Sequence, residues 1–367
     1  MSKIRSSFAL LAGCAVALGF GGTAAIAADM ALPAKGAPMA AAAPPPLDIH
    51  GFVEVDWEST LINPHGQVLG THGAESAVAG LNWTLYHGGG WINNITVGGL
   101  VAADWIQGFQ GAWAFGAPPV NGSFFDVAGQ VSASVGFWQY WTLRDAFTIV
   151  TSQDACGIGS VRCAAGGPGV GFGPLPANEL RLSFNDASFS SAWWGITWNP
   201  YVSWFFQFNN FGQNAVLASG QTQGCFTCGP NQSEFFVGVD PTLNVSKWWG
   251  VPLTFKAPTY VTVGPSGFWV NGAGDAVGQV DAAGEVVHRD GIWGVFTTGL
   301  TAIWDLKFIP SNYGGWYIKG GFQYYNLIND NLVISENQSV GCGLNPAVAC
   351  KTDRNIWVGF VGLGVHF

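Results

Sequence analysis

Residues 47–58 read LDIHGFVEVDWE. On an extended chain Leu47, Ile49, Val53, Val55 and Trp57 fall on one side and Asp48, His50, Glu54, Asp56 and Glu58 on the other, with Phe52 the one apolar residue on the polar face. A helix would mix these two sets, because its side chains recur about every 3.6 residues rather than every second one. The segment is therefore a strand with one wet face and one dry face, and what covers the dry face decides the fold.

Composition points to lipid. Only 10 % of the 367 residues are charged, against roughly a quarter in an average soluble protein. The 18 Trp and 53 Gly make the apolar content bulky and spread out. After residue 27 no stretch approaches the roughly 18 uninterrupted apolar residues of a spanning helix. Low charge without a spanning helix leaves the closed β-barrel as the membrane architecture. A net charge of −9, with only 13 Lys+Arg and no basic run, argues against nucleic acid as a partner.

The same period-two alternation recurs downstream. Phe125, Val127, Val131, Val135 and Phe137 alternate with Asp126, Gln130, Ser132 and Ser134; Trp316, Ile318, Phe322 and Tyr324 alternate with Tyr317, Lys319, Gln323 and Tyr325. The pattern predicts strands at 47–58, 76–87, 91–106, 123–137, 140–152, 178–185, 194–208, 233–245, 251–264, 292–307, 314–328 and 354–367. The fold class is thus all-β, an antiparallel up-and-down transmembrane barrel over residues 47–367 with about 12 strands, in a range of about 10 to 14. The sixth strand is short, and Pro241, Pro252 and Pro258 interrupt the eighth and ninth.

Connections alternate in length, with short links near 87–90, 139, 186–193, 246–250 and 308–313 and long ones after odd-numbered strands. Tight periplasmic turns and long extracellular loops make this pattern in membrane barrels. Trp57, Trp83, Trp91, Trp105, Trp141, Trp198, Trp293, Trp316 and Trp357 fall near strand ends, where aromatic girdles meet the membrane interface. The terminal strand WVGFVGLGVHF, residues 357–367, is apolar and would be an aggregating edge unless it pairs with the first strand and closes the ring.

The N-terminus reads as an export signal over residues 1–27. Lys3 and Arg5 precede an apolar stretch from Phe8 to Phe20, and Ala25-Ile26-Ala27 forms a small-x-small cleavage site. The rival reading is a lipoprotein box, Leu11-Ala12-Gly13-Cys14, which would acylate Cys14. Residues 28–46, rich in Ala and Pro, read as a flexible or extended periplasmic leader.

The remaining cysteines fall as Cys156 with Cys163, Cys225 with Cys228 and Cys342 with Cys350, all in long loops. Three local disulfides are the simplest reading for an exported chain, and pairings between loops remain open. The CxxC at Cys225 has no second CxxC or His cluster beside it, so no metal and no cofactor are expected.

The ending GLGVHF resembles the C-terminal β-signal of bacterial outer-membrane proteins, with Phe367 last, Val365 apolar and Gly362 in place, and Phe360 where that signal favours a polar residue. The resemblance implies recognition by the barrel assembly machinery. The leader IAADMALPAKGAPMAAAAPPP is similar to the start of mature outer-membrane proteins of alphaproteobacteria. ELRLSFND (179–186), NPYVSWFFQF (199–208), PLTFKAPTYVTVG (252–264) and GWYIKGGFQYYNL (315–327) resemble porin-like barrels, which implies the bacterial outer membrane and its lipid as surroundings.

Alternation assigns Asp48, His50, Glu54, Asp56, Glu58, Asp104, Asp126, Arg144, Glu179, Arg181, Lys256 and Lys319 to the interior as pore-lining residues. Acidic groups crowd the first strands and basic ones follow from the middle of the chain. Set across a lumen, they would create a transverse field suited to passive diffusion of small polar solutes. The alternatives are a sealed structural barrel, or one acting as receptor or adhesin through its long loops. Catalysis is not expected. His65, His72 and His288 lie in long loops, and His50 beside Asp48 and Glu54 has no serine motif with it.

Overall fold

The computed structural model describes residues 48–66, 68–70, 73–109, 122–153, 172–190, 195–208, 232–265, 268, 291–330, 332–333 and 354–367. Residues 1–27 and 28–46, expected as signal and leader, and all the cysteines lie outside the described residues, and with them the disulfide and lipidation expectations.

One sheet of fifteen segments closes on itself. Three strands come in two pieces each, so the ring has twelve strands. They are β1 (Asp48–Glu58), β2 (Ala74–His87), β3 (Ile92–Phe109), β4 (Gly122–Phe137), β5 (Trp141–Gln153) and β6 (Phe172–Phe184). Next come β7 (Ile196–Thr197 and Pro200–Gln207), β8 (Gln232–Val239 and Thr242–Asn244) and β9 (Leu253–Lys256 and Thr259–Val263). The last three are β10 (Trp293–Asp305), β11 (Gly315–Leu327) and β12 (Asn355–His366). Each pairs antiparallel with its sequence neighbour, and β12 pairs with β1, where Val53 faces Val365 and Trp57 faces Val361. Gly51 and Phe367 exchange two backbone hydrogen bonds at 2.8 and 2.9 Å, so the terminal strand is paired on both sides.

The outer surface is apolar. On β1 Val53, Val55 and Trp57 are exposed while Phe52, Glu54 and Asp56 between them are buried, and the same alternation runs along β4, β5 and β12. Soluble packing would reverse it; a bilayer requires it. Trp57, Trp105, Trp293 and Trp357 ring the long-loop end, and Trp83, Trp91, Trp141, Trp198 and Trp316 ring the short-turn end.

One strand boundary is corrected, and the expected interruptions of β8 and β9 are found together with a further one in β7. β6 begins at Phe172 rather than near 178, because its early residues GPLPA carry no alternation, yet their backbone pairs with β5 (Ile149 to Pro176, Val150 to Leu175). The breaks in β7, β8 and β9 are aligned. Pro241 and Pro258 cannot donate to the ladder, and Asn199 sits at φ 45° in the left-handed region that Asn tolerates. Cross-strand bonds persist around them, from Asp240 N to Trp198 O at 2.9 Å and from Ala257 N to Pro241 O at 2.9 Å.

The segment between β1 and β2 folds into the barrel. Its short hairpin, Leu61–Ile62 against Val68–Gly70, brings Ile62 and Val68 into one buried cluster with Phe236, Tyr260, Val295, Tyr325, Leu327 and Val358 of the inner wall. Phe268, Leu332 and Val333 from later connections complete it. Gly66, at φ 88°, lies where a Cβ would come within 2.9 Å of Leu332 Cδ1.

Candidate functional site

The interior holds four polar groupings, built mostly from the residues that alternation assigns inward. The first crosses the closing seam. Lys319 Nζ lies 2.7 Å from Glu54 Oε1 and 2.7 Å from Asp56 Oδ2, and Tyr317 donates to Glu54 Oε2 at 2.5 Å. All are nearly buried. Between β1 and β11 runs β12, whose Gly362 pairs with both Asp56 and Lys319 and whose Gly364 pairs with both Glu54 and Tyr317. A Cβ on Gly362 would sit 1.7 Å from Asp56 Oδ1, and one on Gly364 would sit 2.3 Å from Tyr317 Cζ. The two glycines are the gap through which the side chains meet. Lys319 also lies 5.8 Å from the ring centre of Phe360, which accounts for an aromatic residue on the inner face there.

Register continues this level along the acidic wall. Asp56 pairs with Ser76, Ser76 with Asp104, Asp104 with Asp126 and Asp126 with Ser152. Asp104 is buried and accepts a hydrogen bond from Ser76 Oγ. Of Asp126 the strand position alone is described. Glu58 holds the inward position at the loop-side end of β1.

The third grouping lies on β4 to β9. Arg144 donates to Gln130 Oε1 at 2.5 Å, and Gln130 in turn donates to Thr148 at 2.9 Å. Arg181, the register partner of Arg144, pairs with Asp240 at 2.5 Å and stacks 3.5 Å over the ring of Tyr201. Glu179 accepts from Ser203 Oγ at 2.5 Å. Lys256 stands opposite Thr242 and Thr301 on β9. At the short-turn mouth His50 and Asp48 meet at 2.6 Å, both exposed.

The fourth grouping was not foreseen. His65 Nδ1, from the inserted segment, contacts Glu234 Oε1 of β8, whose side chain is fully buried. The imidazole is enclosed by Phe205, Phe236 and Phe268 at ring-centre distances of 4.3, 5.6 and 5.8 Å. Tyr260 donates to Pro64 O at 3.2 Å beside it. Glu234 alternates with Phe235 and Val237, so its inward position was readable. Nothing near His65 announces a partner 169 residues away.

The structure therefore brings acidic and basic groups together differently from a simple division into facing walls. Lys319 sits beside the acidic strand, because closure makes β11 a near neighbour of β1. Among the described residues Arg144, Arg181 and Lys256 are the strand cations set well away from β1 around the ring. Among the described residues no group of three or more His, Cys, Asp or Glu side chains is arranged to hold a metal ion.

A closed ring with an apolar exterior, two aromatic girdles and a polar interior defines a transmembrane β-barrel of the outer-membrane kind. No family model matches the chain, and no curated protein matches it. Among solved structures it is similar to the β-domain of the Bordetella autotransporter Brka, at 9 % identity over 87 % of this chain and 99 % of that one, with a TM-score of 0.45. It is also similar to Pseudomonas putida OprB, at 8 % identity over 88 % and 94 % of the two chains, TM-score 0.33. For OccD1 (OprD) the identity is 12 %, the coverage 86 % and 74 %, and the TM-score 0.25. The assignment rests on the ring itself.

Proposed function

We propose that the protein is a porin-like channel of the bacterial outer membrane, passing small polar solutes by passive diffusion and catalysing nothing. The observation that carries this reading is the uneven filling of the interior. The apolar cluster of the inserted segment lies against β8 to β12. On β2 to β5, toward the short-turn mouth, the inward side chains include Asn82, Thr84, Thr96, Ser132, Ser134, Thr142 and Arg144, all of them partly or fully open to water. A wall of small hydroxyl and amide groups with one guanidinium offers a polar solute replacement hydrogen bonds along its way. Export through residues 1–27, possession of the 28–46 leader and insertion by the barrel assembly machinery belong to the same reading.

The second reading is a sealed barrel, and the buried cluster around Ile62 and Leu332 is the observation that favours it. Planar-bilayer recording separates the two. Purified protein is expected to give discrete current steps; their absence, under conditions where a control porin conducts, would leave the sealed barrel standing.

A further inference from the structure

The outer surface of β5 carries Leu143, Phe147 and Ile149, all exposed to the membrane, and between Leu143 and Phe147 it carries Asp145. Asp145 is exposed on the same face. By position it is the one charged residue on the outer face of the described strands that lies away from a strand end; Glu75 is the second residue of β2 and His87 its last. A carboxylate turned toward hydrocarbon is disfavoured, and an ionisable group at that depth points to an interaction.

Asp145 Oδ1 accepts a hydrogen bond from Asn178 Nδ2 of β6 at 2.7 Å. Among the described residues neither side chain has a further hydrogen bond or ion pair, so a carboxylate oxygen, an amide N–H and an amide carbonyl are left facing the membrane. Around them the face is apolar and aromatic. Leu180 stands opposite Asp145 in register, Trp204 stands beside Leu180, and the rings of Trp204 and Phe235 stack at 6.5 Å.

We infer that this face of β5 to β8 docks a second copy of the chain about a two-fold axis, Asp145 of each copy accepting a hydrogen bond from the partner subunit's Asn178. Hydrogen-bond complementarity selects the occupant. A two-fold interface sets a surface against itself, and an acceptor beside a donor is self-complementary under that operation. Lipid tails offer no donor to the open carboxylate oxygen, whereas a second copy brings the donor already present. Phe147, Leu180 and Trp204 supply the apolar surround that keeps such a pair dry. The proposal needs the barrel alone and stands apart from whether the barrel conducts.

The test uses the full chain extracted from outer membranes in mild detergent, its protein mass read by analytical ultracentrifugation. Heat-modifiable migration reports a folded barrel in every sample. The wild type is expected to be a dimer, and Asp145→Asn, which keeps an acceptor, is expected to stay one. Asn178→Asp sets carboxylates against each other and is expected to give monomers, while the exchange Asp145→Asn/Asn178→Asp restores the dimer. Should Asn178→Asp not fold, Asp145→Leu/Asn178→Leu, which suits a lipid-facing surface, carries the same expectation of monomers. A monomeric wild type, or a dimer indifferent to these changes, overturns the proposal. So does a different protein or a lipid that copurifies stoichiometrically and is lost with Asn178→Asp.

Discussion

Lys319 and Glu54 meet at 2.7 Å across a strand that belongs to neither of them. Lys319 is on β11 and Glu54 on β1; β12 runs between, and its glycines leave the inner face bare where the two side chains cross. The closing strand is thus pinned by its backbone ladders on both edges and by an ion-paired bridge laid over it.

Filling that gap would force the bridge apart. Gly362→Ala puts a methyl group where Asp56 Oδ1 and the Lys319 stem now lie, an overpacking expected to cost about 1–3 kcal/mol. Thermal unfolding in detergent, followed by the loss of heat-modifiable migration, should show a lowered midpoint. Gly359→Ala on the same strand, where an added Cβ meets nothing within 4 Å, should leave the midpoint unchanged.

The bridge is asymmetric, with one cation serving two carboxylates. Lys319→Met leaves Glu54 and Asp56 buried together without a counter-charge, a loss of roughly 3–5 kcal/mol. Glu54→Gln keeps the Lys319–Asp56 pair at 2.7 Å and should cost less than Lys319→Met. Chemical denaturation of the two variants gives the order directly, and a larger loss for Glu54→Gln would contradict the arrangement.

His65 ties the inserted segment to the wall. His65→Ala leaves the fully buried Glu234 carboxyl without its side-chain partner, at an expected cost of about 1–3 kcal/mol in the stability of the folded-in segment. Limited proteolysis between β1 and β2 should become faster in His65→Ala, and Glu234→Gln, which keeps a hydrogen-bonding group beside His65, should be milder. If the segment narrows a passage, unit conductance rises in His65→Ala as well.

Asp104 tests the passage itself. It is buried and hydrogen-bonded by Ser76 on the acidic level of the wall. Asp104→Asn removes one negative charge from that level, and the reversal potential under a salt gradient should move toward anions. An unchanged reversal potential in a conducting protein would place the solute path away from β3.

The strand pattern was legible because a membrane barrel sorts its two faces at every second residue. Ile49, Val53, Val55 and Trp57 face lipid, where charge is costly, and Glu54 and Asp56 consequently point the other way. The twelve strands and the short turns were readable from that alternation and from the spacing of turn residues. β6 was cut short for the same reason: Gly173, Pro174 and Pro176 show no alternation, and it is the ladder to β5 that makes them a strand.

The candidate site was legible as a set of residues and not as a set of partners. Alternation shows that Lys319 and Glu54 both point inward, but 265 residues separate them in the chain. Only ring closure sets β11 and β1 on either side of one glycine-bearing strand. His65 lay beyond reach altogether, since a loop segment has no periodicity and its place in the lumen follows from burial of Ile62 and Val68 against distant strands. The sequence by itself determined which faces meet lipid, because that preference is a property of each side chain. Tertiary structure alone decided which charges meet, because pairing depends on closure and register, and no local stretch of chain encodes either.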